Sequence, residues 1–200
     1  MTSFLHGLRI EAVLAAVCEA GARTVLDLGC GDGDLLLRLA VTRGIETILG
    51  IDQSVEALAR LRERLDACRD GLAAKVNLVR ASLLDPGAVP EGFDCALLIE
   101  VIEHLEPDRL SLAEKAVFAQ AAPPTVIVTT PNVEFNGLLG VPAGRFRHPD
   151  HRFEWDRRRF SDWAAGVAAR HGYRVECRDI AGAHPRLGGA SQMALFRRTG

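Results

Sequence analysis

Lysine is nearly missing from this chain. Of its 24 basic residues only Lys75 and Lys115 are lysine, and the rest are arginine. Arginine offers phosphate a planar, bidentate fork, although a compositional bias toward arginine explains the excess equally well. No pair among the five cysteines (Cys18, Cys30, Cys68, Cys95 and Cys177) has CxxC spacing, and their number is odd. That argues against a disulfide framework and a zinc ribbon, and it points to a reducing, cytoplasmic setting. No apolar run approaches the ~20 residues that span a bilayer. Met1 to Leu8 lacks the basic stretch and apolar core of a secretory signal. A net charge of −2 excludes a globally basic nucleic-acid binder but leaves room for a local basic patch. No internal repeat or low-complexity tract interrupts the chain.

What is present is a chain of 200 residues, 48% hydrophobic, enough for one α/β domain over 1–200. Strand-like runs alternate with helical patterns, which predicts a mostly parallel sheet flanked by helices. Seven strands are expected: 24–28, 47–51, 76–79, 94–99, 125–129, 173–177 and 192–197. The last two are expected to run antiparallel at an edge. Helices are expected over 8–19, 35–42, from Ser54 to about Arg69, from Pro107, and over 158–169. Residues 131 to about 157 carry several prolines and glycines and read as a long irregular insert. A loop of that length in a compact domain is usually functional or disordered.

Asp27-Leu28-Gly29-Cys30-Gly31-Asp32-Gly33 lies between the first strand and the next helix. Its glycines admit positive φ and close approach of a ligand to the backbone. A dinucleotide fingerprint would read G-x-G-x-x-G, with pyrophosphate at the helix N-terminus. Here Asp32 and Asp34 would repel a diphosphate. The acid at Asp27 and the turn amides at Gly29, Cys30 and Gly31 suit a cationic amino-acid moiety better. Asp52 ends the second strand, where an acid can accept both ribose hydroxyls of an adenosine. Ser82, after the third strand, is placed to reach the adenine. Turn and acid together resemble the class I S-adenosylmethionine (SAM) methyltransferase superfamily over residues 24 to 130. That resemblance implies a Rossmann-like, seven-stranded fold and SAM as cofactor.

After the fourth strand comes Glu100-Val101-Ile102-Glu103-His104. On a helical turn Glu100, Glu103 and His104 would share a face. Two carboxylates and an imidazole suit a divalent ion, magnesium or manganese. E-x-x-E-H also occurs at this place in enzymes that methylate small molecules without a tight metal site, so a small-molecule O-methyltransferase remains an alternative. A cofactor-binding module without catalysis is a third reading, and the intact motifs speak against it.

The insert then contributes Arg145-Phe146-Arg147-His148-Pro149-Asp150-His151-Arg152-Phe153-Glu154-Trp155. With D-H-x-F-E-W, nearly the whole chain resembles the small-RNA 3′-terminal 2′-O-methyltransferase family. Its plant members protect microRNAs, and its bacterial members take part in RNA repair. The resemblance implies metal ligation by Glu100, Glu103, His104 and His151, with a 3′-terminal RNA ribose as methyl acceptor. His104 is also a candidate to accept the hydroxyl proton. His148 and His151 are close neighbours and either could reach a metal; the resemblance favours His151, so His148 reads as RNA-facing or solvated, and His6, His171 and His184 as surface residues. The arginines of 145–159 are candidates for RNA phosphates, and Phe146 or Phe153 for stacking on the terminal base. Phe153 equally suits packing of the insert onto the core, and Trp155 reads as packing. Bacterial relatives carry a further N-terminal domain linked to a repair kinase–phosphatase–ligase. The match begins near Leu5, which suits either a stand-alone enzyme or one domain of a longer protein.

Overall fold

Alternate residues of the central strands are apolar on both faces, so the sheet must be covered on both sides. A computed structural model, which describes residues 4–68 and 72–200, shows this arrangement. The strands are β1 (Thr24–Leu28), β2 (Thr47–Asp52), β3 (Val76–Arg80), β4 (Cys95–Ile99), β5 (Thr125–Pro131), β6 (Tyr173–Ile180) and β7 (Ser191–Arg198). They form one sheet in the order β3-β2-β1-β4-β5-β7-β6. Val25, Leu97, Ile127 and Leu195 face helices α1 (Phe4–Glu19), α2 (Asp34–Val41) and α3 (Val55–Asp66). Leu26, Leu98, Val128 and Phe196 face the other core, with Phe160 and Val167 of α5 (Arg157–His171).

All seven expected strands form, with ends shifted by a few residues. The last two pair antiparallel at an edge, as expected. β7 alone runs against the others and lies between β5 and β6, so β6 takes the edge. Ser54 caps α3 as expected, its hydroxyl accepting the Ala57 N–H at 3.1 Å. That helix ends at Asp66, and Arg69 lies outside the described residues. The helix opening at Pro107 is composite. A 3-10 turn (Pro107–Arg109) leads into α4 (Leu110–Glu114), which continues in π geometry over Lys115–Ala121.

The chain leaves β1 toward β2 on one side and β4 lies on the other. This makes β1 the switch point, and the crevice forms beyond its carboxyl end. The insert closes over the same end. Beyond a short 3-10 helix (Val133–Leu139) it has little regular structure, and a single bridge pairs Asn132 with Trp155. Buried side chains hold it instead. Asn132 donates its amide to Leu187 O at 2.8 Å and Gly189 O at 2.9 Å, and accepts the Glu134 N–H at 3.0 Å. Gln192 donates to Pro131 O and Trp155 O.

Replacing Asn132 by Ala leaves these buried groups without partners. Asn132→Ala is expected to lower stability by roughly 2–3 kcal/mol, read from urea unfolding. A loss under half of that would show that the insert is held elsewhere.

Candidate methyl-donor and metal site

The turn after β1 brings backbone close to its neighbours. A Cβ at Gly29 would lie 2.6 Å from Val101 Cγ2, and one at Gly33 2.2 Å from Leu61 Cδ1, both at φ +80°. Only glycine fits there. Asp52 is oriented by the same turn, since Oδ2 accepts the Gly31 N–H at 2.9 Å and Oδ1 the Ser54 N–H at 2.8 Å. It borders a cavity of about 480 Å³ that also meets Gly29, Ser82, Glu100, His104 and Arg152. Ser82 lines this cavity, but its hydroxyl accepts the Leu84 N–H at 3.2 Å. Cys30 is buried, and burial raises its thiol pKa, so it forms part of the wall.

A second cavity of about 240 Å³ shares Gly29 and Glu100 with the first and adds His6, Arg9, Asp27, Cys30 and Gly31. Burial, and then the Asp52 charge, push the Asp27 carboxyl up to about 7. A cation placed beside it would reverse that shift. Arg9 reaches in from α1, and its buried Nε has no partner. Sequence reasoning missed Arg9. Its signal was a basic pair, His6 and Arg9, at i, i+3 on a helix next to the glycine turn. His6 also departs from its expected surface place, since Nε2 lies 3.2 Å from Asp34 and Nδ1 2.8 Å from Arg9 Nη2.

The acidic segment is not one α-helical turn. Glu100 has φ +56°, in the left-handed region that favours glycine, and only Ile102–His104 form a short 3-10 turn. Glu103 is fully buried. Its Oε2 accepts the Thr130 hydroxyl at 3.0 Å, while Oε1 has no partner. Burial raises its pKa well above the usual carboxylate range, and the nearby Glu100 raises it further. Glu100 accepts the Thr129 hydroxyl at 3.0 Å and pairs with Arg9 at 3.1 Å.

His104 and His151 lie with ring centroids 4.8 Å apart. Among the described residues, ligand atoms of His104, His148 and His151 fall within 4.8 Å of one another, and neither glutamate joins that group. His148 is therefore drawn toward the site. Burial, and then His151, lower the His104 pKa, which keeps its lone pair free. His151 Nδ1 donates to Glu154 Oε1 at 2.5 Å, turning Nε2 outward as a ligand atom. Burial pushes the Glu154 carboxyl up, but its bonds from His151, Asn136 and the Arg147 N–H outweigh this and hold it below the usual range. A divalent ion fits this donor set: an orphaned buried carboxylate oxygen, a second carboxylate and two imidazoles.

The insert sorts its other residues differently from expectation. Arg147 does not face outward, because its guanidinium donates to Asn136 Oδ1, Ala190 O and Asn132 O. Arg157 is held by Glu134 and Arg186 O. Arg159 lies over the Trp155 ring, and Arg158 is exposed. Phe153 is buried and stacks on Trp155, with centroids 4.3 Å apart, which removes it as a base platform. Trp155 packs as expected. Phe146 remains 45% exposed. His171 is tied to Glu114 at 2.8 Å and is no free surface residue.

Comparison with known proteins agrees with this geometry. A family model described as a methyltransferase domain matches residues 26–121. The crystal structure of the methyltransferase domain of a bacterial Hen1 protein (CtHen1-C) superposes with a TM-score of 0.87 at 38% identity, covering 98% of this chain and 100% of that one. The chain belongs to the Hen1 methyltransferase family. The Hen1 domain keeps the sheet of a class I SAM-dependent methyltransferase, with the glycine turn at its switch point. Proteins named small RNA 2′-O-methyltransferase from Xenopus tropicalis and Arabidopsis thaliana are 36% and 35% identical over 97% and 95% of this chain. The chain spans 55% and 22% of their respective lengths.

Two measurements check the electrostatics of this Hen1 domain. Folded Asp27 keeps its proton to about pH 7, whereas its ordinary value is 3.8. The folded state thus binds more protons between those values, and stability falls as pH rises through the window. The melting temperature of Asp27→Asn is expected to pull ahead of wild type across it; a constant difference would refute the shift. Glu154→Gln is expected to weaken Mn²⁺ binding about 10- to 100-fold by calorimetry. Unchanged affinity would remove Glu154 from the site.

Proposed function

We propose that this domain transfers the methyl group of SAM to the 2′-hydroxyl of the 3′-terminal nucleotide of RNA. The relatives' names supply the substrate class. The observation that carries the acceptor is the buried, unpartnered Oε1 of Glu103, the residue preceding His104; His104 lines the donor cavity and lies against His151. Glu100, Glu103, His104 and His151 would hold one divalent ion, Mn²⁺ or Mg²⁺. When bound, such an ion lowers the pKa of a ribose hydroxyl and orients a vicinal diol.

The chain's own residues do the rest. Asp52 accepts the donor's ribose hydroxyls. Gly29, Cys30 and Gly31 shape the wall for its amino-acid end, where Asp27 faces the ammonium and Arg9 the carboxylate. Ser82 bounds the adenine side. The two cavities share Gly29 and Glu100, so a donor spanning them would bring its methyl group next to the acidic segment. Holding donor and acceptor in line supplies much of the rate.

A neutral imidazole has one free lone pair. In His104 the ligand role uses it, so His104 is a poor proton acceptor. His148, with its centroid 5.8 Å from that of His104, can take the hydroxyl proton on Nδ1 once that nitrogen gives up the Asp150 N–H it accepts at 3.2 Å. Arg152 lines the donor cavity, 3.0 Å from Glu106, and with exposed Arg145 is a candidate for phosphates, as exposed Phe146 is for the last base. The five free thiols suit a reducing cytoplasm. A repair kinase–phosphatase–ligase is the proposed partner in bacterial settings. No helix among the described residues is long and apolar enough to cross a membrane.

RNA ending in 2′,3′-hydroxyls is expected to gain a methyl group and resist periodate, whereas RNA with a 3′-phosphate stays unmethylated. Periodate sensitivity unchanged after incubation with SAM and Mn²⁺ would refute the reading. His148→Ala is expected to cut kcat by roughly 10²-fold while leaving Mn²⁺ affinity in place. An equal loss of metal binding would make His148 a ligand instead.

A further inference from the structure

Glu100 stands where the two cavities meet, Arg9 lines the smaller one beside it, and each has two claimants. Glu100 Oε2 lies 3.1 Å from Arg9 Nη1, with side chains only 18% and 17% exposed. Glu100 is also a proposed ligand of the metal. Arg9 is the cation lining the smaller cavity beside the glycine turn, where the donor's carboxylate would lie.

The two claims on Arg9 compete. Nη1 serves Glu100 and the Ser191 hydroxyl, Nη2 meets His6 Nδ1, and buried Nε is unfilled. A carboxylate grips a guanidinium through two parallel N–H bonds, so the donor would take Nε together with a nitrogen already in use. A second carboxylate at the same fork would also repel Glu100. Glu100 is braced for one position. Its N–H donates to Thr129 O, its Oε1 accepts the Thr129 hydroxyl, and its φ of +56° is a conformation that a non-glycine residue keeps only when its surroundings hold it there. In that position it lies outside the imidazole group.

We propose that Arg9 is a positioning residue that couples donor binding to metal binding. The donor's carboxylate draws Arg9 away from Glu100, and Glu100 becomes available to the ion beside His104 and His151. The proposal rests on the donor-and-metal reading above. Its consequence is reciprocal: each ligand tightens the other by the same factor. A donor fragment without the carboxylate lacks the effect.

The test is calorimetric titration of Mn²⁺ into the wild-type protein in three states: alone, saturated with S-adenosylhomocysteine, and saturated with 5′-methylthioadenosine, which lacks the amino-acid end. S-adenosylhomocysteine is expected to tighten Mn²⁺ at least about fivefold, and 5′-methylthioadenosine to leave it within about twofold. In Arg9→Met the donor-free protein should bind Mn²⁺ as tightly as donor-loaded wild type. Glu100→Gln should show no donor effect at all. Equal effects of the two nucleosides, or a donor effect that survives in Glu100→Gln, would overturn the coupling. If both ligands bind wild type independently, the coupling fails while the donor-and-metal reading stands. If Mn²⁺ or S-adenosylhomocysteine does not bind, that reading fails and takes the coupling with it.

Discussion

The site depends on one buried carboxylate that is not itself a proposed ligand. Glu154 accepts hydrogen bonds from His151 Nδ1, from the Asn136 side chain and from the Arg147 N–H. The insert has little backbone ladder of its own, so these bonds set where it lies. Arg147 extends the network to Asn132 and Ala190, and thereby to the ends of β5 and β7. His151 is thus oriented by the core through two side chains. A polar network of this kind is stabilising only when every member is satisfied, which links the geometry of the site to the fold of the insert.

The second constraint is a concentration of acids at the switch point. Asp27 and Asp52 stand at the carboxyl ends of β1 and β2, and Glu100 and Glu103 follow that of β4. Each is managed separately. Backbone N–H groups hold Asp52, burial protonates Asp27 near neutrality, Arg9 pairs with Glu100, and Thr130 partly satisfies Glu103. The donor's ammonium and a divalent ion are the cations that would relieve what remains. The same charges that strain the site therefore select its ligands.

The sheet was legible because the strands alternate apolar residues on two faces, a pattern visible in the chain itself. The glycine turn, Asp52 and the Ser54 cap were equally readable, since each is a local motif. The edge order was not. Placing β7 between β5 and β6 depends on long-range pairing, and both strands look alike in sequence. Motif reading also found the acids and His151. It missed the φ of Glu100 and the inward turn of Arg147, because each depends on partners far along the chain. Arg9 was missed for the same reason.

The central claim is one divalent ion held by two imidazoles, His104 and His151, and two carboxylates. Pulsed electron paramagnetic resonance of the Mn²⁺-loaded protein tests it directly, because directly bound imidazole nitrogens couple to the electron spin. The account predicts two such nitrogens in wild type, one in His151→Ala, and two still in His148→Ala. Three nitrogens in wild type, or an unchanged spectrum in His151→Ala, would contradict it.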